Sequence, residues 1–273
     1  MNASQEMSFW DHLEELRWTL LRVVIALIVF AIAAFMFMPW MFENIILAPA
    51  KPDFFLYRYL CSLTQSVSFL PDFCDQNFTI SMINIDLTAQ FFRHLSTSFW
   101  MSFVLICPYI LFEIWRFISP ALYDHEKKNV RWVFLFGSVM FFIGCLIGYS
   151  IIFPMALRFL YSYSLSNIIH NELSLDSYMD NFLILVLVMG LVFEMPLLSW
   201  LLSQIGILKK SFFRNYRRHA VVILLIAAAI ITPTGDPFTL SLVFFPLYGL
   251  YELSILFVKD DSPDDEVSLD KIK

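Results

Sequence analysis

Groups that catalyse reactions or bind metals are scarce in this sequence. Its five histidines lie in loops or at the ends of apolar runs, where none can be placed opposite a nucleophile inside a helix bundle. Its four cysteines form no Cys-x-x-Cys pair and show no metal-ligand spacing. The residues therefore argue against an intramembrane hydrolase, and we expect no catalytic residue, no metal and no cofactor.

Charged residues are also few, at 15% of the chain against 59% hydrophobic residues, and the mean hydropathy is +0.70. A soluble single domain does not have this composition. Several apolar runs reach the roughly 20 residues that a helix needs to cross a bilayer. The first residues resemble neither a cleavable signal peptide nor a transit peptide. We expect a multi-pass protein of the bacterial inner membrane, in contact with the lipid bilayer.

Much of the net charge of −6 comes from an acidic tail at 259–273, which we expect to be disordered and cytoplasmic. It gives no indication of a nucleic-acid partner. The rest, 1–258, is predicted to form a single transmembrane domain.

Apolar periodicity predicts an all-α fold with an amphipathic helix over 7–17 and six spans. The spans are predicted at 20–38, 95–115, 132–153, 182–205, 219–232 and 238–257. We expect Pro39 and Pro154 to end the first and third spans, and prolines to make the bundle kinked and concave. The fifth and sixth spans are short. The fifth apolar run reaches roughly 18 Å of a core about 30 Å thick, so either the bilayer thins there or flanking residues extend the helix.

Basic residues indicate the orientation of the spans. With both termini in the cytoplasm, 14 lysines and arginines fall inside and 4 outside. We therefore predict six spans with both termini inside.

Glu194 lies near the middle of the fourth apolar run. A carboxylate at that depth costs about 2.5–3.5 kcal/mol on insertion scales. It is either protonated, hydrogen-bonded to a neighbouring span for structural reasons, or facing a polar groove. Pro196 predicts a bend beside it. Intramembrane acids are most often functional, which favours the groove.

Acidic residues also stand out on the mostly basic cytoplasmic surface. Glu14 and Glu15 precede the first span, and Asp124 and Glu126 follow the second. Two carboxylates on a semi-rigid surface suit two guanidinium groups, which bind them through planar, paired hydrogen bonds. Glu113 is expected to pair with Arg116, three positions further along the same helix.

Two cysteines, Cys61 and Cys74, fall in the first external loop. In an oxidising periplasm they are candidates for a disulfide. Cys107 and Cys145 lie within spans and are expected to be inert.

Four ordered motifs resemble those of the TatC family, the polytopic subunit of the twin-arginine protein translocase. They are His12-Leu13-Glu14-Glu15-Leu16-Arg17, the loop from Phe117 to Glu126, Phe193-Glu194-Met195-Pro196, and Thr232-Pro233 followed by Asp236. Together they cover about Ser8 to Val258 in the expected membrane positions.

The resemblance implies a receptor and core subunit, not an enzyme. It would bind twin-arginine signal peptides on its cytoplasmic face through Glu15 and Glu126, supported by Arg17 and Phe117. Glu194 would be the mid-membrane acid that faces the concave side. The residues implied for the external cap and for contact with a partner subunit are Pro49, Pro233 and Asp236.

The implied partners are TatA-type and TatB-type single-span subunits, in a homo-oligomeric complex that moves folded proteins with the proton-motive force. One position departs from the family pattern: Leu240 stands where a polar residue commonly contacts a partner, and Thr239 or Ser241 would replace it. The first external loop is also enlarged. The alternative is a proton- or cation-coupled secondary transporter that uses Glu194.

Overall fold

The computed structural model describes residues 9–64, 80–118, 124–166, 171–204 and 206–258. Ten α-helices account for most of these residues. They are α1 (Phe9–Met41), α2 (Phe55–Thr64), α3 (Ala89–Ile118), α4 (Asp124–Ile147), α5 (Phe153–Ser162), α6 (Leu175–Val192), α7 (Met195–Gln204), α8 (Lys210–Asn215), α9 (Arg217–Ile231) and α10 (Pro237–Phe257). The acidic tail lies outside the described residues.

Within the described ranges, five helical stretches are long and apolar enough to cross a bilayer: α1, α3, α4 with α5, α6 with α7, and α10. The shortest is α10, the predicted sixth span, with 21 residues. The predicted fifth span, α9, has 15 residues and reaches about 22 Å, which is less than the usual hydrocarbon thickness of about 30 Å.

Two prolines do not end their helices where we predicted. Pro39 lies inside α1, which continues to Met41 and then into a π-helical turn at Phe42–Ile46. Pro154 lies in the first turn of α5, and a second π-helical turn, Gly148–Ile152, joins α5 to α4. The N–H of Phe153 donates to the carbonyl of Gly148, so helical hydrogen bonding continues through the π-helical turn up to Pro154. The third span therefore continues to Ser162.

Helix α6 starts earlier than its apolar run, which had placed the start at residue 182. The hydroxyl of Ser174 caps it by accepting a 3.2 Å hydrogen bond from the backbone N–H of Ser177. Its first two turns carry polar side chains, so hydropathy alone places the start too late.

The helices divide into two compact groups. The first contains α1, α3 and the start of α4, up to Val139. The second contains the remainder, from Glu43 to Ala89 and from Met140 onward. Within the second group, α10 packs against α7 and α9, and the π-helical turn at Gly148–Ile152 packs against α6.

In the second group, three tyrosines hold the irregular segment that follows α1. The hydroxyl of Tyr57 donates to the carbonyl of Pro49 at 2.7 Å, and that of Tyr149 donates to the carbonyl of Ile45 at 2.9 Å. Tyr178 donates to the carbonyl of Ile46. These bonds satisfy backbone carbonyls that the π-helical and 3₁₀ turns leave open.

A short parallel pair of strands joins the segment between α2 and α3 to the segment between α5 and α6. Strand β1 (Met82–Ile83) pairs with strand β2 (Leu173–Ser174), with Met82 opposite Leu173. Hydropathy did not indicate these strands, because two residues are too few to show an alternating pattern.

Candidate functional site

The first group of helices holds the residues proposed from the sequence for peptide binding. Glu15 is half-buried on α1, and Phe117 is half-buried at the end of α3. Glu126 lies in the first turn of α4, and its side chain is outside the described part of the chain. Arg17 is exposed and lies about 200° around α1 from Glu15, so the two side chains leave the helix on opposite faces.

Residues 119–123 of the loop between α3 and α4 lie outside the described ranges. The structure therefore describes the motif from Phe117 to Glu126 only at its two ends, which belong to α3 and α4.

The sequence predicted a pair between Glu113 and Arg116, and the structure does not show it. The carboxylate of Glu113 lies 2.9 Å from the guanidinium of Arg22 on α1. The Glu113 side chain is only 2% exposed, and a partner from the neighbouring helix reaches it there. Arg116 is exposed, in the last turn of α3. Sequence spacing along a single helix could not reveal this contact.

Glu194 lies at a break in the fourth span. Helix α6 ends at Val192, α7 begins at Met195, and Pro196 follows in the first turn of α7. The interruption falls where the sequence predicted a bend. Helical hydrogen bonding resumes at once after the break, since the carbonyl of Glu194 accepts from the N–H of Leu198 at 2.9 Å.

The side chain of Glu194 is 7% exposed, and neither carboxylate oxygen has a hydrogen-bond partner among the described residues. The sequence left open that Glu194 makes a structural hydrogen bond to a neighbouring span. No such bond is observed within the described chain. A buried acid in this state offers two acceptors, or a donor and an acceptor when protonated.

The turn before α10 is organised by Asp236. One of its oxygens accepts from the backbone N–H of Thr239 at 2.7 Å, and the other accepts from the hydroxyl of Thr234 at 2.6 Å. Burial raises the pKa of Asp236, but these hydrogen bonds outweigh it and leave the pKa below its ordinary value. Pro233 is exposed in this turn.

The other residues assigned to the cap and to partner contact are also placed. Pro49 is buried, and its carbonyl is the acceptor for Tyr57. Leu240 is half-buried and Thr239 is buried, whereas Ser241 is exposed and donates to the carbonyl of Pro237 at 2.7 Å.

Among the cysteines, Cys61 is disulfide-bonded, whereas Cys107 and Cys145 are buried thiols outside any disulfide of the described chain. Cys74, the partner predicted for Cys61, lies outside the described residues, and that pairing stays a prediction. The described part of the chain contains no group of three or more histidines, cysteines or acids able to hold a metal ion.

Sequence reasoning missed two features. A Gly-x-x-x-Gly pattern, Gly144 and Gly148, lies in the third span and packs closely against α6. Spacing could have indicated it, because small residues four apart allow membrane helices to approach closely. The ion pair between Arg217 on α9 and Glu252 on α10, at 2.7 Å, carried no local signal.

Taken together, these helices define an all-α polytopic membrane protein whose fourth span is broken at a buried carboxylate. The family described as Sec-independent protein translocase protein (TatC) matches residues 11–246. The chain belongs to the TatC family.

Similar proteins support this assignment over most of the chain. The Sec-independent protein translocase protein TatC of Blattabacterium sp. subsp. Periplaneta americana (strain BPLAN) is 36% identical over 259 residues, covering 93% of this chain and 96% of that protein. TatC of Aquifex aeolicus (strain VF5) is 31% identical, covering 93% and 95%. A crystal structure of the twin-arginine translocase receptor TatC superposes with a TM-score of 0.71 at 31% identity, covering 91% of this chain and 99% of that one.

Membership of the family decides between the functions considered from the sequence. The protein is a translocase component and not an enzyme, and it is a multi-pass protein of the bacterial inner membrane. The secondary-transporter alternative is not supported.

Proposed function

We propose that this chain is the receptor and core subunit of a twin-arginine translocase, and that Glu15 and Glu126 bind the two arginines of the signal peptide. The observation that carries the proposal is that Glu15, Phe117 and Glu126, which match the family motifs, all belong to one compact group of helices.

The chemistry of carboxylates and guanidinium groups supports this assignment. Arginine presents a planar fork of donors that pairs with both oxygens of a carboxylate, whereas lysine offers a compact charge without that geometry. Half-burial of Glu15 restricts its rotamers and reduces competition from water, so a paired contact there discriminates better than one on an open surface. Phe117 supplies a half-buried aromatic side chain on which a guanidinium can stack. The supporting role of Arg17 is proposed from the family motif alone.

Glu194 has a different proposed role. The apolar part of the signal peptide would enter the bundle beside the break between α6 and α7. A polar group from the peptide or from a partner subunit would then occupy the open hydrogen-bonding positions of the carboxylate. The short helix α9 would favour a thinner bilayer at this point.

The assembly is proposed on the same basis. Six spans would form a single transmembrane domain over 1–258 with both termini in the cytoplasm. Single-span TatA-type and TatB-type subunits would associate through the turn that contains Pro233 and Asp236 and through the cap that contains Pro49. Several copies would act together, driven by the proton-motive force. A reporter fused after Lys128 should read cytoplasmic.

The experiment measures equilibrium binding of a signal peptide to the full-length chain in nanodiscs. An Arg-Arg peptide is compared with a Lys-Lys peptide of identical net charge. Wild type should prefer Arg-Arg by at least about 10-fold, which corresponds to about 1.4 kcal/mol. Glu15→Gln and Glu126→Gln should each remove most of that preference.

Glu14→Gln is the matched control, because Glu14 is adjacent to Glu15 but exposed on another face of α1. Its preference should stay at the wild-type level. Equal affinity of the wild type for both peptides would refute the receptor proposal. An unchanged preference in Glu126→Gln would remove that residue from the site.

A further inference from the structure

An ion-pair network with a buried carboxylate and a partly exposed guanidinium joins α1 to α3. The Nε of Arg22 donates to Glu113 Oε2 at 3.0 Å, and its Nη2 lies 2.9 Å from the same oxygen. Nη2 also donates to the hydroxyl of Thr19 at 3.0 Å, and the hydroxyl of Tyr109 donates to Glu113 Oε1 at 3.0 Å. Both oxygens of Glu113 are therefore hydrogen-bonded, although its side chain is only 2% exposed.

Helical periodicity relates this network to the proposed peptide site. Arg22 follows Glu15 by seven positions, close to two turns, so the two residues share a face of α1. Phe117 follows Glu113 by four positions, so these two share a face of α3. Glu15 therefore lies two turns from Arg22 on the same face of α1, and Phe117 lies one turn from Glu113 on the same face of α3.

Burial makes this ion pair selective for one alignment of the helices. A slip of either helix by one turn would separate Arg22 from Glu113 and leave the carboxylate buried without its cation, which is strongly unfavourable. A pair within α3, such as Glu113 with Arg116, would stabilise α3 alone and would set no alignment. The network therefore fixes the register of α1 against α3 in a way that nonspecific apolar packing between them does not.

We propose that Arg22 and Glu113 are positioning residues for signal-peptide binding. They contact no peptide, and they hold Glu15, which binds one peptide arginine, in a fixed position relative to Phe117, on which a guanidinium stacks. This inference rests on the proposed receptor function. It means that selectivity for twin arginines depends partly on the contact between Arg22 and Glu113, which lies outside the peptide site.

A second network of the same composition provides a matched control. Arg217 on α9 pairs with Glu252 on α10 at 2.7 Å, and the hydroxyl of Tyr248 donates to Glu252 at 3.1 Å. In both networks the tyrosine precedes the glutamate by four positions. This second network belongs to the other group of helices, which does not carry Glu15. Its loss should affect stability without altering peptide selectivity.

The experiment measures affinities for the Arg-Arg and Lys-Lys peptides in full-length variants reconstituted in nanodiscs. Glu113→Gln should weaken binding of the Arg-Arg peptide by about 10-fold, a typical coupling between contacting residues, with little change for Lys-Lys. The charge-swapped double variant, Arg22→Glu with Glu113→Arg, should restore most of the selectivity. Glu252→Gln should keep the wild-type ratio of the two affinities.

Tyr109→Phe removes one hydrogen bond without removing charge, so it tests the proposal even where Glu113→Gln does not fold. It should reduce the affinity ratio by about 3-fold, in line with loss of a single hydrogen bond. An unchanged ratio in folded Glu113→Gln or in Tyr109→Phe would overturn the positioning role, as would an equal loss in Glu252→Gln. Absence of selectivity in the wild type would instead refute the receptor function itself.

Discussion

Three acids within the helices show how differently a carboxylate can be accommodated. Glu113 and Glu252 each have an arginine from a neighbouring helix and a tyrosine one turn earlier. Glu194 is nearly as shielded from solvent as Glu113, and far more than the one-third exposed Glu252, but it has no hydrogen-bond partner among the described residues. The first two residues stabilise helix packing, whereas Glu194 keeps unused hydrogen-bonding capacity at a cost in stability.

Replacing Glu194 should therefore stabilise the isolated protein. We expect Glu194→Leu to raise the free energy of unfolding by about 1–3 kcal/mol, the usual cost of a buried polar group without a partner. Thermal unfolding in detergent measures it. Glu252→Leu is the control and should not raise stability, because it removes the carboxylate that pairs with the half-exposed Arg217, a contact worth up to about 1 kcal/mol. A lower unfolding midpoint for Glu194→Leu would show that the carboxylate is satisfied in the folded protein.

Asp236 contributes to stability through its cap on α10. Asp236→Ala should reduce the free energy of unfolding by about 1 kcal/mol at neutral pH, while Asp236→Asn should retain most of the cap. The folded pKa lies below the ordinary 3.8, so the ionised carboxylate stabilises the protein above that value and the contribution is lost as the pH falls through the folded pKa. Thermal unfolding at pH 7 and pH 3 should show a smaller advantage of Asp236 over Asn at pH 3, where the carboxyl of the unfolded chain is mostly protonated. An advantage that is equal at both pH values would contradict this account.

At the scale of helices, the contact between the third and fourth spans depends on three glycines. A Cβ on Gly144 would lie 2.6 Å from the carbonyl oxygen of Met189, and one on Gly190 would lie 2.5 Å from the sulfur of Cys145. The Cβ of Gly148 would lie 3.0 Å from the carbonyl oxygen of Leu185. Backbone atoms cannot give way as side chains do, so close packing of these helices requires glycine at Gly144.

A single methyl group at this contact should have a measurable effect. Gly144→Ala should lower the free energy of unfolding by about 1–3 kcal/mol through overpacking. Gly249→Ala on α10 is the control, since nothing lies within 4 Å of its added Cβ. That change should be neutral or stabilising by up to about 1 kcal/mol, because alanine favours helix. Equal effects of the two substitutions, measured by thermal unfolding, would mean that the third and fourth spans are not closely packed.

The helices also show which boundaries the sequence could predict. Five of the six predicted spans overlap helical stretches long and apolar enough to cross a bilayer, because a run of about 20 apolar residues has few alternatives to a membrane helix. The ends were less predictable. Pro154 is accommodated in a first turn, and the polar start of α6 is fixed by a cap at Ser174. The carbonyls that Tyr149 and Tyr178 satisfy belong to a segment more than a hundred residues away.

For the whole molecule, motif order and charge distribution predicted the family, and comparison with known proteins confirmed it. The candidate site was predicted only as a set of residues. The sequence could name Glu15, Phe117 and Glu194, but not the pairing of Arg22 with Glu113, because that contact joins residues 91 positions apart. A local rule favoured Arg116, and tertiary packing overrode it.

The measurement that tests the central claim most directly is site-specific photo-crosslinking of an Arg-Arg signal peptide to the full-length chain in nanodiscs. A photoreactive group is placed beside the arginines, and the crosslinked residues are mapped by mass spectrometry. We predict capture on α1 near Glu15 and on the start of α4 near Glu126, with a Lys-Lys peptide captured much less. Equal capture of both peptides, or capture confined to the second group of helices, would contradict the account.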